Sequence, residues 1–360
     1  GGVCLNEGCI PTKTLLRSAH LLSEALEGKK YGVTIPEASF ELSKVMSRKT
    51  KILKKLGAGI RLGLQNHGVE IITEEARLTG KTADGFTIAA GESSYSARRV
   101  IIATGSKAFI PPIDGLSDVL YWTAREALEV EELPKSIVVL GGGVIGMEFV
   151  SLFSTLGVDV TVVEMLPKIL GPMDEELSTE LQQAFEKRKV KFHLSTKVTA
   201  VRDGKVIAEH EGEQLEIPFD KLLVSVGRRA VTDGLGLETV GVELQRGAIV
   251  VDEHLETSVP GIYAVGDVNG VSMLAHTAAR EGQVAVHHIT DYPDAMSYRA
   301  IPGIVYTDPE IASVGQTEQE LRTAGVDYQV HRVPMSLSGR FVIENEQGNG
   351  FCKLLTDSEG

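Results

Sequence analysis

Apolar residues recur at helical spacing along the first part of the chain. Leu15, Leu16, Ala19, Leu22 and Leu26 mark one amphipathic helix, and a second periodic stretch runs from about Leu42 to Leu64. The pattern then changes to short alternating or apolar runs, which predict strands at Val69–Thr73, Gly85–Ala89 and Ala97–Ala103, the last closing on Thr104-Gly105-Ser106. Proline-rich Ile110-Pro111-Pro112-Ile113-Asp114-Gly115 predicts a linker between domains. From Ile137 the order is strand, glycine turn, helix to about Leu156, and strand from Val158 to Glu164, a βαβ unit that implies a parallel sheet. Further strands are predicted at Val198–Val201, Lys205–Ala208, Lys221–Val226 and Gly261–Val265. From Ile301 onward, short strands and a helix near Thr317–Ala324 suggest the start of an α+β domain.

Composition narrows the function classes. A chain of 360 residues with 42% apolar positions can fill two or three cores. A net charge of −13 with 5% aromatic residues offers neither the basic field nor the stacking surface that nucleic acids require. Three cysteines are too few for a disulfide framework or a four-ligand zinc site, so no metal is expected and a reducing compartment fits. The longest apolar stretch, Ile137 to Leu166, is broken by Glu148, Asp159 and several glycines, so no membrane span is expected. Neither end reads as a natural terminus, and the lack of a targeting segment therefore carries no information.

Gly141, Gly143 and Gly146 form G-x-G-x-x-G between an apolar strand and a helix, and Glu164 ends the next strand. Gly141 suits the tight turn, Gly143 lets a pyrophosphate approach backbone N–H groups, and Gly146 allows the helix to pack on the strand. An acid at Glu164 accepts ribose hydroxyls and repels a 2′-phosphate. Met165, Leu166 and Pro167 follow it with no arginine, so NAD is favoured over NADP.

Cys4 and Cys9 stand five residues apart near the start of the chain. An undistorted helix would separate their Cα atoms by about 8–9 Å, beyond the roughly 7 Å limit for a disulfide. Any bridge thus needs a bend, for which Asn6 and Gly8 provide freedom. Cys9 would head the next helix, whose positive end lowers a thiol pKa, and Lys13 shares its face. Spacing alone leaves an inert buried pair and a working dithiol equally open; the nucleotide motif downstream favours the dithiol, with a flavin as intermediary.

Together these residues resemble the pyridine nucleotide-disulfide oxidoreductase family, and within it the branch that oxidises dihydrolipoamide. The resemblance spans the chain, through Gly1 to Lys13, Ile102-Ala103-Thr104-Gly105, Gly261 to Asp267, Met273-Leu274-Ala275-His276, and Pro302 to Gly315. It implies an α/β fold of two Rossmann-like FAD/NAD(P)-binding domains plus the start of an α+β dimer-interface domain. The expected boundaries are 1–110 (FAD, cut short at its start), 111–230 (NAD), 231–300 (return to the FAD and central region) and 301–360 (dimerisation, cut short at its end). It also implies that Cys4 and Cys9 form the redox disulfide, with Cys4 meeting the substrate and Cys9 nearest the flavin. Lys13, paired to Glu148, would lie by flavin N5.

FAD would be held by Lys13, Thr104, Gly105, Gly266, Asp267 and the helix start at Met273, Leu274 and Ala275; NAD would be held by Gly141, Gly143, Gly146 and Glu164, with Gly227 counted among the cofactor positions. Implied partners are a second copy of the chain and dihydrolipoamide, carried by the lipoyl domain of a 2-oxoacid dehydrogenase or glycine cleavage complex. The implied setting is the cytoplasm, or the mitochondrial matrix in a eukaryote. Cys352 is expected as a core or half-buried thiol. The chain departs from the family pattern at Val3, Glu7 and Thr12. The family's first FAD-binding turn and its C-terminal His-Pro segment are not found, so the segment as given is expected to be inactive. A mercuric or other dithiol reductase of the same family is the alternative, and a non-catalytic NAD-binding redox module the alternative from another class.

Overall fold

The computed structural model describes residues 2–345, 348 and 350–360. Helices α1 (Val3–Asn6), α2 (Cys9–Glu27) and α3 (Leu42–Asn66) open the chain, with a break at Glu7-Gly8 between the first two. An antiparallel meander follows, made of β1 (Ala76–Thr82), β2 (Gly85–Ala90) and β3 (Ser93–Ala97). Strands β4 (Val100–Ile102) and β5 (Ser106–Ala108) lead through the proline-rich segment to α4 (Ala124–Ala127), whose Thr123 and Glu126 form a capping box. That segment is not a free linker. Val201 donates its N–H to the Asp114 carbonyl at 2.8 Å, and Leu116 is buried.

The middle of the chain is the βαβ unit the glycine motif predicted. β6 (Ser136–Leu140), α5 (Val144–Thr155), β7 (Asp159–Val163), α6 (Glu175–Lys187) and β8 (Lys191–His193) run in order. β9 (Thr196–Arg202), β10 (Lys205–His210) and β11 (Glu213–Pro218) form a second meander, and β12 (Lys221–Val224) returns beside β6, giving a parallel sheet of order β12-β6-β7-β8. Both faces of β6 are covered. Ile137 and Val139 share one cluster with Met147, Phe153, Leu181 and Phe185 of the helices, whereas Val138 and Leu140 share another with Val201, Val206 and Val224. This two-sided burial is why the strand reads as a continuous apolar run.

β13 (Arg228–Ala230) pairs with β5, and β14 (Leu244–Gln245) pairs with β15 (Ala248–Ile249). β16 (Ile262–Ala264) lies parallel to β4, and these two strands are all that the described residues supply of a parallel sheet outside the nucleotide unit. A tight turn over Gly266–Asn269 precedes α7 (Ala275–Ile289). β17 (Gly303–Val305), β18 (Ile311–Ser313), α8 (Glu318–Ala324), β19 (Gln329–Pro334), α9 (Gly339–Glu344) and β20 (Phe351–Thr356) complete the chain. Among the described residues no helix is long and apolar enough to cross a membrane.

Three further expectations are corrected. Val69–Thr73 has strand-like composition, yet no strand pairs with it among the described residues, and Val69 and Ile72 stay exposed. The run Ala97–Ala103 breaks at Arg98-Arg99, because β3 pairs with β2 while β4 pairs with β16. Cys352 is exposed: it sits opposite Val333 on one face of the terminal hairpin, and its neighbour Lys353 takes the inward face.

Lys353 ties this last segment to the nucleotide unit. Its ammonium lies 3.1 Å from Asp174, which caps α6, 3.2 Å from Glu176, and also meets Glu318 of α8. The hydrogen bond from Lys353 holds the Glu318 carboxyl at about 2, against an ordinary 4.5. A depressed carboxyl stabilises the fold fully above its unfolded value and loses that contribution as pH falls. Thermal stability is therefore expected to drop between about pH 4.5 and 2, and Lys353→Met should flatten that limb of a melting-temperature profile; an unchanged limb would refute the link.

Candidate redox and dinucleotide site

The cysteine segment bends where glycine allows. α1 ends at Asn6, and the turn at Gly8 (φ −145°, ψ −112°) lets α2 begin in a new direction at Cys9. The Cα atoms of Cys4 and Cys9 come to 4.5 Å and the two sulfurs are bonded. A Cβ on residue 8 would lie 3.1 Å from the Val3 carbonyl oxygen, so the turn leaves little room there. Thr12, 4% exposed, donates both its hydroxyl and its N–H to the Gly8 carbonyl and locks the first turn of α2. No side chain caps that helix head, so Cys9 sits against free N–H groups that favour a thiolate.

One turn further, the Lys13 ammonium meets both oxygens of Glu148 at 2.6 and 2.7 Å. Glu148 is 4% exposed within the apolar helix α5, and it also accepts the Tyr306 N–H at 3.2 Å. The Tyr306 ring lies 4.7 Å from the same ammonium, close enough for a cation–π contact. One charged pair thus joins α2, α5 and the loop after β17. Separately, Glu7 at the helix break forms an ion pair with Arg125 of α4 at 2.8 Å.

The glycine turn before α5 separates three uses of a missing side chain. Gly141 adopts φ +103°, and a Cβ there would sit 2.6 Å from the Ser225 carbonyl oxygen. A Cβ at Gly146 would sit 2.2 Å from the Gly141 carbonyl oxygen, so helix and turn are in direct contact. At Gly143, by contrast, nothing lies within 4 Å of the added atom, and no side chain caps the helix. That open, uncapped head fits a pyrophosphate. Glu164 reaches back to the turn, accepting N–H groups from Gly142 at 2.6 Å and Leu166 at 2.7 Å. Lys168, the nearest cation in sequence, gives its ammonium to the Met173 carbonyl.

A third group gathers around Asp267. Its carboxylate accepts the Ser106 hydroxyl, while Arg228 donates to the Ser106 hydroxyl and carbonyl oxygens, each at 2.7 Å. Burial lowers the Arg228 pKa, and the carboxylates of Asp267 and Glu7 oppose that shift. Thr104 donates its hydroxyl to the Val231 carbonyl at 2.7 Å, and Gly105 and Gly227 take the positive φ values +71° and +130°. Met273, Leu274 and Ala275 are exposed at the head of α7, which lacks a side-chain cap. A cleft of about 540 Å³ opens beside them, lined by Arg228, Arg246, Asn269 and Met273. Acceptors for hydroxyls, free helix N–H groups and cationic walls suit a phosphate-bearing, hydroxylated cofactor such as FAD. Sequence reasoning missed Ser106 and Arg228 as partners of Asp267. The only signal was the Gly227-Arg228-Arg229 run at the end of a predicted strand.

The family model described as pyridine nucleotide-disulphide oxidoreductase matches residues 1–282, and that of its dimerisation domain matches residues 301–360. The chain belongs to this family. Curated relatives include a dihydrolipoyl dehydrogenase from Cupriavidus necator, 38% identical over 100% of this chain and 77% of its own length. Another from Chlorobaculum tepidum is 39% identical over 99% of this chain and 78% of its own. Among solved structures, LpdA from Mycobacterium tuberculosis superposes with a TM-score of 0.88 at 28% identity, covering 99% of this chain and 79% of that one. The HOCl-induced flavoprotein disulfide reductase RclA from Escherichia coli gives 0.85 at 26%, covering 100% and 79%. As a member of this family the chain is a disulfide oxidoreductase whose cofactors are FAD and NAD(H).

Three substitutions test the geometry. Gly146→Ala should destabilise the fold by about 2–3 kcal/mol, since packed backbone must move, whereas Gly143→Ala should stay within about 1 kcal/mol. Glu148→Gln leaves the Lys13 ammonium without its counter-charge and should cost about 1–3 kcal/mol, less than a fully buried pair because Lys13 is partly solvated. Denaturant titration reads all three, and equal costs at Gly143 and Gly146 would overturn the division of roles.

Proposed function

We propose that the chain is an NAD-dependent dihydrolipoyl dehydrogenase. The observation that carries this reading is the Cys4–Cys9 disulfide at the head of α2, one helical turn before the Lys13 that pairs with Glu148, in a chain 36–39% identical over almost its whole length to proteins of that name. The thiolate of dihydrolipoamide attacks Cys4, the Cys4–Cys9 bond breaks, and its electron pair remains on Cys9. The head of α2 supports that outcome, because a thiol with a lowered pKa is the better leaving group. The second substrate thiol then displaces Cys4 and releases lipoamide. FAD, when bound, supplies the two-electron carrier between this dithiol and the nicotinamide. Lys13 holds a fixed positive charge beside Cys9, and Glu148 keeps that ammonium in place.

In this reading Gly141, Gly143, Gly146 and Glu164 bind NAD, and Lys13, Thr104, Gly105, Gly227, Gly266, Asp267 and the Met273–Ala275 helix head hold FAD. The domain division follows: 1–110 and 231–300 around FAD, 111–230 around NAD, and 301–360 for dimerisation. A homodimer is the assembly, and a lipoyl domain of a 2-oxoacid dehydrogenase or glycine cleavage complex is the partner. The cytoplasm or the mitochondrial matrix is the setting.

The full-length protein should reduce NAD⁺ with dihydrolipoamide, and Cys4→Ser or Cys9→Ser should abolish that turnover while leaving the fold intact. Turnover in either variant would sink the reading. Glu164→Ala should narrow the preference for NAD⁺ over NADP⁺ about tenfold or more, measured as a ratio of kcat/KM values, because a ribose acceptor is lost and a repulsion removed.

A further inference from the structure

Glu281 of α7 is 0% exposed, and none of the steps above uses it. One of its oxygens accepts the Gly266 N–H at 2.5 Å and the Asn269 side-chain amide at 3.0 Å, and the other accepts the Tyr298 hydroxyl at 2.7 Å. Every partner is a donor. Two of the three belong to the Gly266–Asn269 turn, at its first and last residues, and Asp267 lies between them. The turn is also pressed against the helix, since a Cβ on Gly266 (φ +76°) would lie 3.1 Å from the Ala278 Cβ. Burial, then the bond to Glu281, push the Tyr298 hydroxyl pKa up, so it stays a donor.

A buried carboxylate is a costly way to hold a turn on a helix, because apolar packing does so without desolvating a charge. What the carboxylate adds is direction: it fixes where two groups at opposite ends of a short turn must point. We propose that Glu281 is a positioning residue for flavin binding, clamping both ends of the Gly266–Asn269 turn so that Asp267 is presented toward the cofactor with Ser106 and Arg228. Asp267 cannot swing away without breaking one of the two anchors. This rests on the assignment of Asp267 to FAD.

The test uses apoprotein of the full-length chain, with FAD affinity read by flavin fluorescence and folding by circular dichroism. Asp267→Ala, Glu281→Ala, Glu281→Gln and the double variant D267A/E281A are compared. Folded E281A should bind FAD about tenfold or more weakly, and E281Q, which keeps an acceptor oxygen for Gly266, should recover most of that loss. The double variant should bind no more weakly than the weaker single one, because both act through the same side chain. Wild-type affinity in folded E281A, or losses that simply add, would overturn the proposal. Normal FAD binding by D267A would overturn it too, and would single out the assignment of Asp267 as the fault. If E281A does not fold, Glu281→Asp serves instead. It keeps the charge but withdraws it by one methylene, and unchanged affinity in that variant refutes the clamp.

Discussion

The charged pair between Lys13 and Glu148 fixes where the redox turn lies relative to the nucleotide helix. α2 and α5 are separated by well over one hundred residues, and each has its own apolar reason to pack: Leu15 and Ala19 on one, Met147, Phe149 and Phe153 on the other. Those contacts are non-directional and would tolerate a shift of register along the helices. The ion pair does not, because both carboxylate oxygens are engaged and Tyr306 covers the same ammonium. Placing Glu148 in an otherwise apolar helix costs stability relative to a leucine. It returns a fixed positive charge one helical turn from Cys9.

The site is assembled around backbone shape as much as around side chains. Gly8 breaks two helices so that Cys4 and Cys9 can meet; Gly141 and Gly146 let backbone touch backbone; Gly143 leaves space; and Gly266 places an N–H against Glu281. In four of these five cases an added Cβ would approach another atom within 3.1 Å. At Gly143 it would approach nothing, so the backbone there stays accessible.

Much of this was legible in the sequence where one physical requirement dominates one short segment. The βαβ unit was readable because strand, glycine spacing and acid all point to one turn geometry. Helix α2 showed its apolar spacing. What stayed hidden depends on partners far along the chain. β4 could not be separated from β3 by composition, since only pairing with β16, about 160 residues on, divides them. Val69–Thr73 shows the reverse, a strand-like composition with no described partner. Helix α6 was not predicted, although Asp174 as cap and Leu177, Leu181 and Phe185 along one face would have marked it. Ser106 and Arg228 gave almost none, because a serine after Thr104-Gly105 has many uses until Asp267 is placed beside it.

Helix α5 explains why the two halves of the site can share one rigid frame. Its head, at Gly143, is open and uncapped, the end proposed to take a pyrophosphate, and Glu148 follows five residues later. Five residues of helix advance about 7.5 Å and turn about 140° away. The residue that orients Lys13 therefore projects from a different side of the helix than the nucleotide head, and neither function crowds the other. A loop could join the same two points, but its length would fluctuate with every thermal motion. With Phe149, Val150 and Phe153 fully buried on the same helix, the distance between nucleotide head and redox lysine is set by hydrogen-bonded backbone inside a packed core.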